Sequence, residues 1–160
     1  MSATANIDIP ASADIVPGKG SRPETVTGCL VFDNVKFAYP HEPSHVVLRG
    51  LSLTIKPNTF VALVGPSGGG KSTMTALLER FYDPNSGAVL LDGVDLRNID
   101  PRWIRQQIGY VEQSPKMFTG TIAENIRYGC PTATDDEVVL AAQQANVRKP
   151  WPIQEGSVLC

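Results

Sequence analysis

Apolar and polar positions change rhythm along this chain, and each rhythm predicts an element. Residues 1 to about 25 have no rhythm. They contain no Phe, Leu, Tyr or Trp and are punctuated by Pro10, Pro17, Gly18, Gly20 and Pro23, the pattern of a linker or arm and not of a core. Order begins at Leu30. Leu30-Val31-Phe32 and Val35-Lys36-Phe37 predict a strand pair or one bulged strand. Val46 to Ile55 predicts a further strand, with Leu51, Leu53 and Ile55 alternating against Ser52 and Thr54. Lys56-Pro57-Asn58 turns the chain. Phe60 to Val64 then runs continuously apolar, as a strand covered on both faces would.

The period next becomes helical. Met74, Leu77, Leu78 and Phe81 form one apolar stripe and predict a helix from Ser72 to Tyr82, ended by Asp83-Pro84. Gly87 to Leu91 and Val94 to Leu96 flank Asp92-Gly93, a hairpin signal. Asp100-Pro101 pairs an N-cap residue with proline at the first helical position and opens a short helix to about Gln107. Ile108 to Val111 predicts a strand. Thr121 with Glu124, and Thr134 with Glu137, have capping-box spacing. The second box opens a helix whose Val138, Ala141, Ala142 and Ala145 repeat the helical stripe. Strands first, then mixed strands and helices, predict an α/β domain with an antiparallel β portion in front.

Composition narrows the class. The chain has 160 residues, 42% apolar and 19% charged, enough for one core and unlike a disordered chain. A net charge of −2 argues against nucleic acid as a partner. No apolar run approaches the length of a bilayer span. The first residues hold no apolar leader region and carry Asp8 and Asp14 with no Arg before Arg22, so neither a signal nor a mitochondrial transit peptide is expected. Cys29, Cys130 and Cys160 match no zinc or disulfide spacing and read as structural or incidental thiols of a reducing compartment. His41 and His45 flank a turn with no Cys, Asp or Glu constellation around them, so no metal role is expected there.

The sharpest chemistry is Gly65-Pro66-Ser67-Gly68-Gly69-Gly70-Lys71-Ser72, which fits G-x-x-x-x-G-K-[ST] between an apolar run and an amphipathic helix. Glycines let the backbone curl so that successive N–H groups face one anion. The helix start adds its positive end. Lys71 supplies a point charge for β- and γ-phosphates, and the Ser72 hydroxyl is placed to ligate a Mg²⁺ that bridges them. Such a loop implies a nucleoside triphosphate without saying which enzyme uses it.

From about Gly28 to Val147 the chain resembles the nucleotide-binding domain of ABC transporters of the exporter type, the multidrug-resistance and antigen-peptide group. Four segments carry the resemblance: Val35 to Pro40, Val61 to Pro84, Ile108 to Phe118 and Thr121 to Gly129. Leu77 to Tyr82 together with Asp100 to Arg105 look closest to half-size exporters, including mitochondrial ones. The resemblance implies a P-loop NTPase (RecA-like) core with an N-terminal antiparallel β subdomain, incomplete at the C-terminus. It implies ATP and Mg²⁺ as ligands. Tyr39 would stack on adenine, worth roughly 1–3 kcal/mol. Gly65 and Ser67, Gly68, Gly69, Gly70, Lys71, Ser72 and Thr73 would cradle phosphates. Gln113 would reach Mg²⁺ and the attacking water, so that Lys71 and Gln113 carry the catalytic roles and Ser72 and Gln113 the metal. The implied partners are a transmembrane domain and a second nucleotide-binding domain. The implied location is membrane-associated through a transmembrane domain outside this chain, on the cytosolic or matrix face, the chain as written being soluble or peripheral.

The sequence also departs from the family. Asn58 stands where glycine is usual, a position that tolerates positive φ with Asn. Glu112 and Ser114 flank Gln113 where Ser and Glu are commoner. After Val147 the signature Leu-Ser-Gly-Gly-Gln, the second acidic strand, a catalytic Glu and a switch His do not follow; Arg148 to Cys160, with Pro150 and Pro152 around Trp151, reads as a non-matching, out-of-register tail. The expected organisation is an arm over 1–27, a partial ATP-binding domain over 28–147 and the tail over 148–160, with ATP binding, little turnover and weak, aggregation-prone folding. Ala88 to Asp92 imitates the second acidic motif, but Gly93 marks Asp92 as a turn residue. A non-catalytic ATP-binding product and a soluble P-loop kinase stand as the other readings.

Overall fold

The computed structural model describes residues 15–147. The chain divides into two compact units, one ending at Tyr110 and one beginning at Val111. The first contains β1 (Leu30–Ala38), β2 (Val46–Ile55), α1 (Lys71–Leu78), β3 (Ser86–Leu91), β4 (Val94–Asp95), a 3-10 turn at Leu96–Asn98 and α2 (Pro101–Gln107). Its strands form one antiparallel sheet in the order β2-β1-β3-β4. The antiparallel front expected from the sequence is present.

β1 is the bulged strand that its pattern allowed. Phe32, Val35 and Phe37 are all buried although the first two are three residues apart, because the pairing register shifts between them. Asn34 takes φ 47° there, and its amide donates to the Ser52 hydroxyl at 3.1 Å. The bulge presses on β3 at Gly87. A Cβ on that residue would lie 2.4 Å from the Asp33 and Asn34 carbonyl oxygens, and its φ is +80°, so glycine is required. Asp92 and Gly93 take φ 51° and 81° in the tight turn between β3 and β4, which makes Asp92 a turn residue as read.

Under the sheet, Met74 and Leu77 of α1 and Ile104 of α2 join Phe32, Val35, Phe37, Leu48, Val89, Leu91, Leu96 and Ile99 in one core. α1 stops four residues before the expected Tyr82. Arg80 turns left-handed at φ 52°, and the Arg80 and Phe81 amides donate to the Leu77 and Ala76 carbonyls at 3.1 and 2.9 Å, the paired bonds of a Schellman ending. Arginine replaces the usual glycine because its guanidinium is held on both sides, by the Asp83 carboxylate at 3.1 Å and the Ile99 carbonyl at 2.6 Å. Arg105 donates to the Glu79 and Arg80 carbonyls and lies 4.5 Å over the Phe81 ring, so the helix end is satisfied from α2. Burial pushes the Glu79 carboxyl up from its ordinary range, against the opposing pull of Arg105.

Two expected strands are corrected. Phe60 to Val64 is irregular, with Phe60 fully exposed and Val64 89% exposed. Ile108 to Val111 is irregular too, with Tyr110 and Val111 exposed. A continuously apolar strand needs neighbours on both edges and cover on both faces. Every described strand already pairs inside the antiparallel sheet, and none runs beside either segment. The turn before the first of them is formed, with Asn58 at φ 55°.

The arm is a second difference. Of residues 1–27, the structure describes 15–27, and these are docked. Ile15 is buried, and Ser21 bridges Ile99 with its amide on the Asn98 carbonyl at 2.8 Å. The fully buried Asp100 carboxylate accepts from Arg22 at 3.0 and 2.7 Å, from the Gly18 amide, and from the Arg102 amide as the N-cap of α2. Asp92 accepts from the Thr27 hydroxyl and from the Thr27, Gly28 and Cys29 amides. Two carboxylates thus hold a segment whose own side chains are too small to bury much surface. The pattern of apolar positions carries no trace of such bonds, because they join polar atoms more than sixty residues apart.

The second unit holds α3 (Ile122–Arg127) and α4 (Asp135–Gln144). Both capping boxes form, with the Glu124 and Glu137 amides on the Thr121 and Thr134 hydroxyls and the reciprocal bonds at 2.6 and 2.7 Å. Asn125 clamps the preceding loop by donating to the Phe118 and Thr121 carbonyls while accepting from the Phe118 amide, and the Phe118 and Tyr128 rings stack at 4.3 Å. Of the expected α4 stripe, Val138 and Ala142 are buried, whereas Ala141 and Ala145 are exposed. The tail expected over 148–160, with Trp151 and Cys160, lies outside the described residues.

The buried and turn carboxylates make stability acid-sensitive. The Thr27 hydroxyl first, then the Cys29, Thr27 and Gly28 amides against a burial cost, hold Asp92 at about 2, and the Arg22 guanidinium holds Asp100 below the usual carboxylate range. Both folded values lie below the unfolded value of about 3.9, so their contribution is present above about pH 4 and lost as pH falls toward 2. Melting midpoints should drop across that window, and Asp92→Asn should flatten the drop while lowering the midpoint at pH 7. Separately, the exposed and uncharged Phe60 to Val64 run is expected to promote self-association. Val64→Lys should reduce concentration-dependent light scattering without lowering the melting midpoint, because that side chain is exposed.

Candidate nucleotide-binding site

The loop ahead of α1 is formed even though the run before it pairs with no strand. The Gly69 amide donates to the Pro66 carbonyl at 3.1 Å, closing a tight turn, and Gly68 and Gly70 take φ +78° and +82°. Gly70 is the N-cap of α1 and offers no side-chain acceptor. The first intrahelical bond runs from the Met74 amide to the Gly70 carbonyl, so the Lys71, Ser72 and Thr73 amides begin the helix without helical acceptors. Gly70 also packs closely: a Cβ there would stand 2.7 Å from Cδ2 of Leu48. The sheet therefore fixes where the helix starts.

Lys71 Nζ donates to the Gly65 and Pro66 carbonyls at 2.9 and 2.7 Å. Its ammonium is folded back over the loop, on the side of the helix's positive end. Residues 65–73 contain no carboxylate, and the one charged side chain among them is Lys71. Gly65, Ser67, Gly68 and Gly69 are exposed, as is Ser72 on the first turn. Thr73 points inward, 4% exposed. This set fits a polyphosphate: free amides, a helix N-terminus and one ammonium converge without a competing anion. Among the described residues no group of three His, Cys, Asp or Glu could hold a metal ion. A magnesium ion at this loop would take its ligands from the phosphates together with the Ser72 hydroxyl, a hard oxygen set that suits it.

Tyr39 is brought to this loop. Its hydroxyl lies 3.0 Å from the Thr73 hydroxyl, and its ring meets Phe37 and Tyr82 edge-on at 5.0 and 5.3 Å. The sequence placed Tyr39 at the site through resemblance; the bond to Thr73 had no sequence signal, since it joins residues 34 apart. The ring of His41, which flanks the turn after β1, lies 5.4 Å from that of Tyr39, 30° from parallel. Gln113 is exposed in the irregular segment ahead of α3, in the second unit.

A family model described as ABC transporter matches residues 48–155. The chain belongs to the ABC transporter family. Its match covers the loop, α1, the β3–β4 hairpin and both helices of the second unit. ABC transporter B family member 1 of Dictyostelium discoideum is 48% identical over 127 residues, 79% of this chain and 14% of that protein. The mitochondrial potassium channel ATP-binding subunit of Homo sapiens is 51% identical over 127 residues, 79% of this chain and 17% of that protein. A bacterial Atm1-family ABC exporter solved with ATP bound superposes with a TM-score of 0.75 at 37% identity, covering 89% of this chain and 24% of that one. The chain thus spans less than a fifth of the length of these curated relatives. The expected exporter-type nucleotide-binding domain is the right family, and the fold is that of a P-loop NTPase with an antiparallel sheet at its N-terminus. No helix among the described residues is long and apolar enough to cross a membrane.

The two loop glycines separate sterically. Gly70→Ala meets Leu48 at positive φ and should lower the melting midpoint by several degrees, consistent with a cost of about 1–3 kcal/mol. At Gly65 an added Cβ meets nothing within 4 Å, and Gly65→Ala should leave the midpoint within about one degree in the same thermal melt.

Proposed function

We propose that this chain is an ATP-binding segment of an ABC exporter, which binds Mg·ATP and, in the longer assembly, couples its binding and hydrolysis to transport. The observation that carries the reading is the helix start at Gly70, with free amides ahead of it, Lys71 folded over the loop and Tyr39 bonded to Thr73. In this reading Tyr39 stacks on the adenine. The amides of Ser67 to Thr73 and the backbone at Gly65 surround the phosphates. Lys71 exchanges its two carbonyl partners for the β- and γ-phosphates. Ser72 would hold the magnesium ion, with Gln113 as the second ligand that the family resemblance implies, and the ion when bound would neutralise phosphate charge at the bond to be broken. Gln113 orients the attacking water. Hydrolysis also needs a carboxylate that aligns that water, and the residues assigned here include none. We therefore assign this chain binding with little or no turnover. The partners in this reading are a transmembrane domain and a second nucleotide-binding domain, which places the site at the cytosolic or matrix face of a membrane. The organisation into a leading segment over 1–27, docked where it is described, an ATP-binding domain over 28–147 and a tail over 148–160 belongs to the same proposal.

Isothermal titration of the 160-residue chain with Mg·ATP should give saturable, one-site binding. Lys71→Ala should weaken it at least about tenfold, as loss of a charge-assisted contact to phosphate would. Phosphate release from the same samples should stay at the no-protein level. Absence of saturable binding by a folded sample would sink the reading, and rapid phosphate release would replace binding alone with a working ATPase.

A further inference from the structure

We infer that Thr73 is a positioning residue for the nucleotide base, acting through Tyr39 and not by touching the base itself. The inference rests on the nucleotide reading above and adds to it how base and phosphates are kept in step. Tyr39 follows the last residue of β1, and Thr73 lies in the first turn of α1. Their hydroxyl oxygens are 3.0 Å apart, and the Thr73 side chain is 4% exposed, so little water competes for that bond. The Tyr39 ring is already held without its hydroxyl, by perpendicular contacts with the buried Phe37 and with Tyr82, at 80° and 89°. Phenylalanine at position 39 would keep those ring contacts and its capacity to stack. What the hydroxyl adds is a tie to the helix that carries Lys71 and Ser72, the two residues just before Thr73. The ring that takes the base and the turn that takes the phosphates then move as one piece. A ligand with both parts meets a preset spacing, and its binding spends less on ordering the protein. A ligand with phosphates alone gains nothing from the tie.

That difference gives the test. Titrate the 160-residue chain and its Tyr39→Phe, Thr73→Val, Thr73→Ser and Tyr39→Phe/Thr73→Val variants with Mg·ATP and, separately, with inorganic tripolyphosphate and magnesium. Tyr39→Phe and Thr73→Val should each raise the Kd for ATP about three- to tenfold, the range of one net hydrogen bond. The double variant should be no weaker than either single one, as for two ends of one interaction. Thr73→Ser, which keeps the hydroxyl, should recover ATP affinity relative to Thr73→Val, and the Kd for tripolyphosphate should move less than that for ATP in every variant. Unchanged ATP affinity in Tyr39→Phe overturns the inference, as do additive losses in the double variant or a parallel loss of tripolyphosphate binding. Should Thr73→Val not fold, the two ligands compared on Tyr39→Phe decide alone. A parent chain that binds neither ligand overturns the nucleotide reading along with this one, whereas a parent that binds both, with Tyr39→Phe indistinguishable from it, overturns only the role of Thr73.

Discussion

Everything at the candidate site depends on one short helix with opposite ends. α1 is eight residues long, too short to persist alone in water. Met74 and Leu77 anchor it in the core, and its last carbonyls are taken up by the Schellman bonds and by Arg105 from α2. Its first amides are left free because glycine, and not an Asp, Ser or Thr, occupies the N-cap. A side-chain cap there would fill the place where an anion gains most from the helix. The helix is therefore held by its C-terminal half and its side chains, which releases its N-terminal turn for binding.

This division explains how much could be read in advance. The phosphate loop was legible because its chemistry is local: glycines, Lys71 and Ser72 act within eight residues of sequence. The capping boxes at Thr121 and Thr134, the N-cap at Asp100 and the Asp92-Gly93 turn were legible for the same reason. The β1 bulge was half legible, since the two apolar triplets fixed both pieces but only the pairing with β2 and β3 joins them. Phe60 to Val64 and Ile108 to Val111 misled because an apolar run states only that cover is needed and not that it is supplied. The short helix also could not be read, because Phe81 continues the stripe while Arg80 breaks the backbone, and an arginine at positive φ is tolerable only with Asp83, Ile99 and Arg105 around it. Around the site, the resemblance points to Tyr39, while its hydroxyl partner Thr73 lies 34 residues away and leaves no sequence signal.

The arm makes a related point about polar anchoring. Asp100 serves α2 as its N-cap and the arm as the acceptor for Arg22 and Gly18, so one buried carboxylate joins two distant parts of the chain. Asp92 does the same at the hairpin. Neither bond set raises hydrophobic patterning, and both depend on ionised carboxylates, Asp100 fully buried and Asp92 partly so, where a charge is tolerated because every oxygen has donors.

The loop itself is anchored unequally, and that sets what binding must do. Its C-terminal end is fixed by Gly70 against Leu48 and by α1. Its N-terminal end follows the exposed Phe60 to Val64 run, and the ties that curl it are the Gly69 to Pro66 turn and the two bonds from Lys71. In the proposed function, a Lys71 that turned to a phosphate would give up the Gly65 and Pro66 carbonyls, so its charge would contribute the difference between two sets of acceptors and not the whole of a phosphate contact. The loop must then be held by the phosphates in place of the lysine. An anion that spans both ends of the loop can do this, and a single small anion cannot. Cover for Phe60 to Val64 would hold the N-terminal end independently of Lys71, which makes tight phosphate binding and burial of that apolar run two favourable steps of one process.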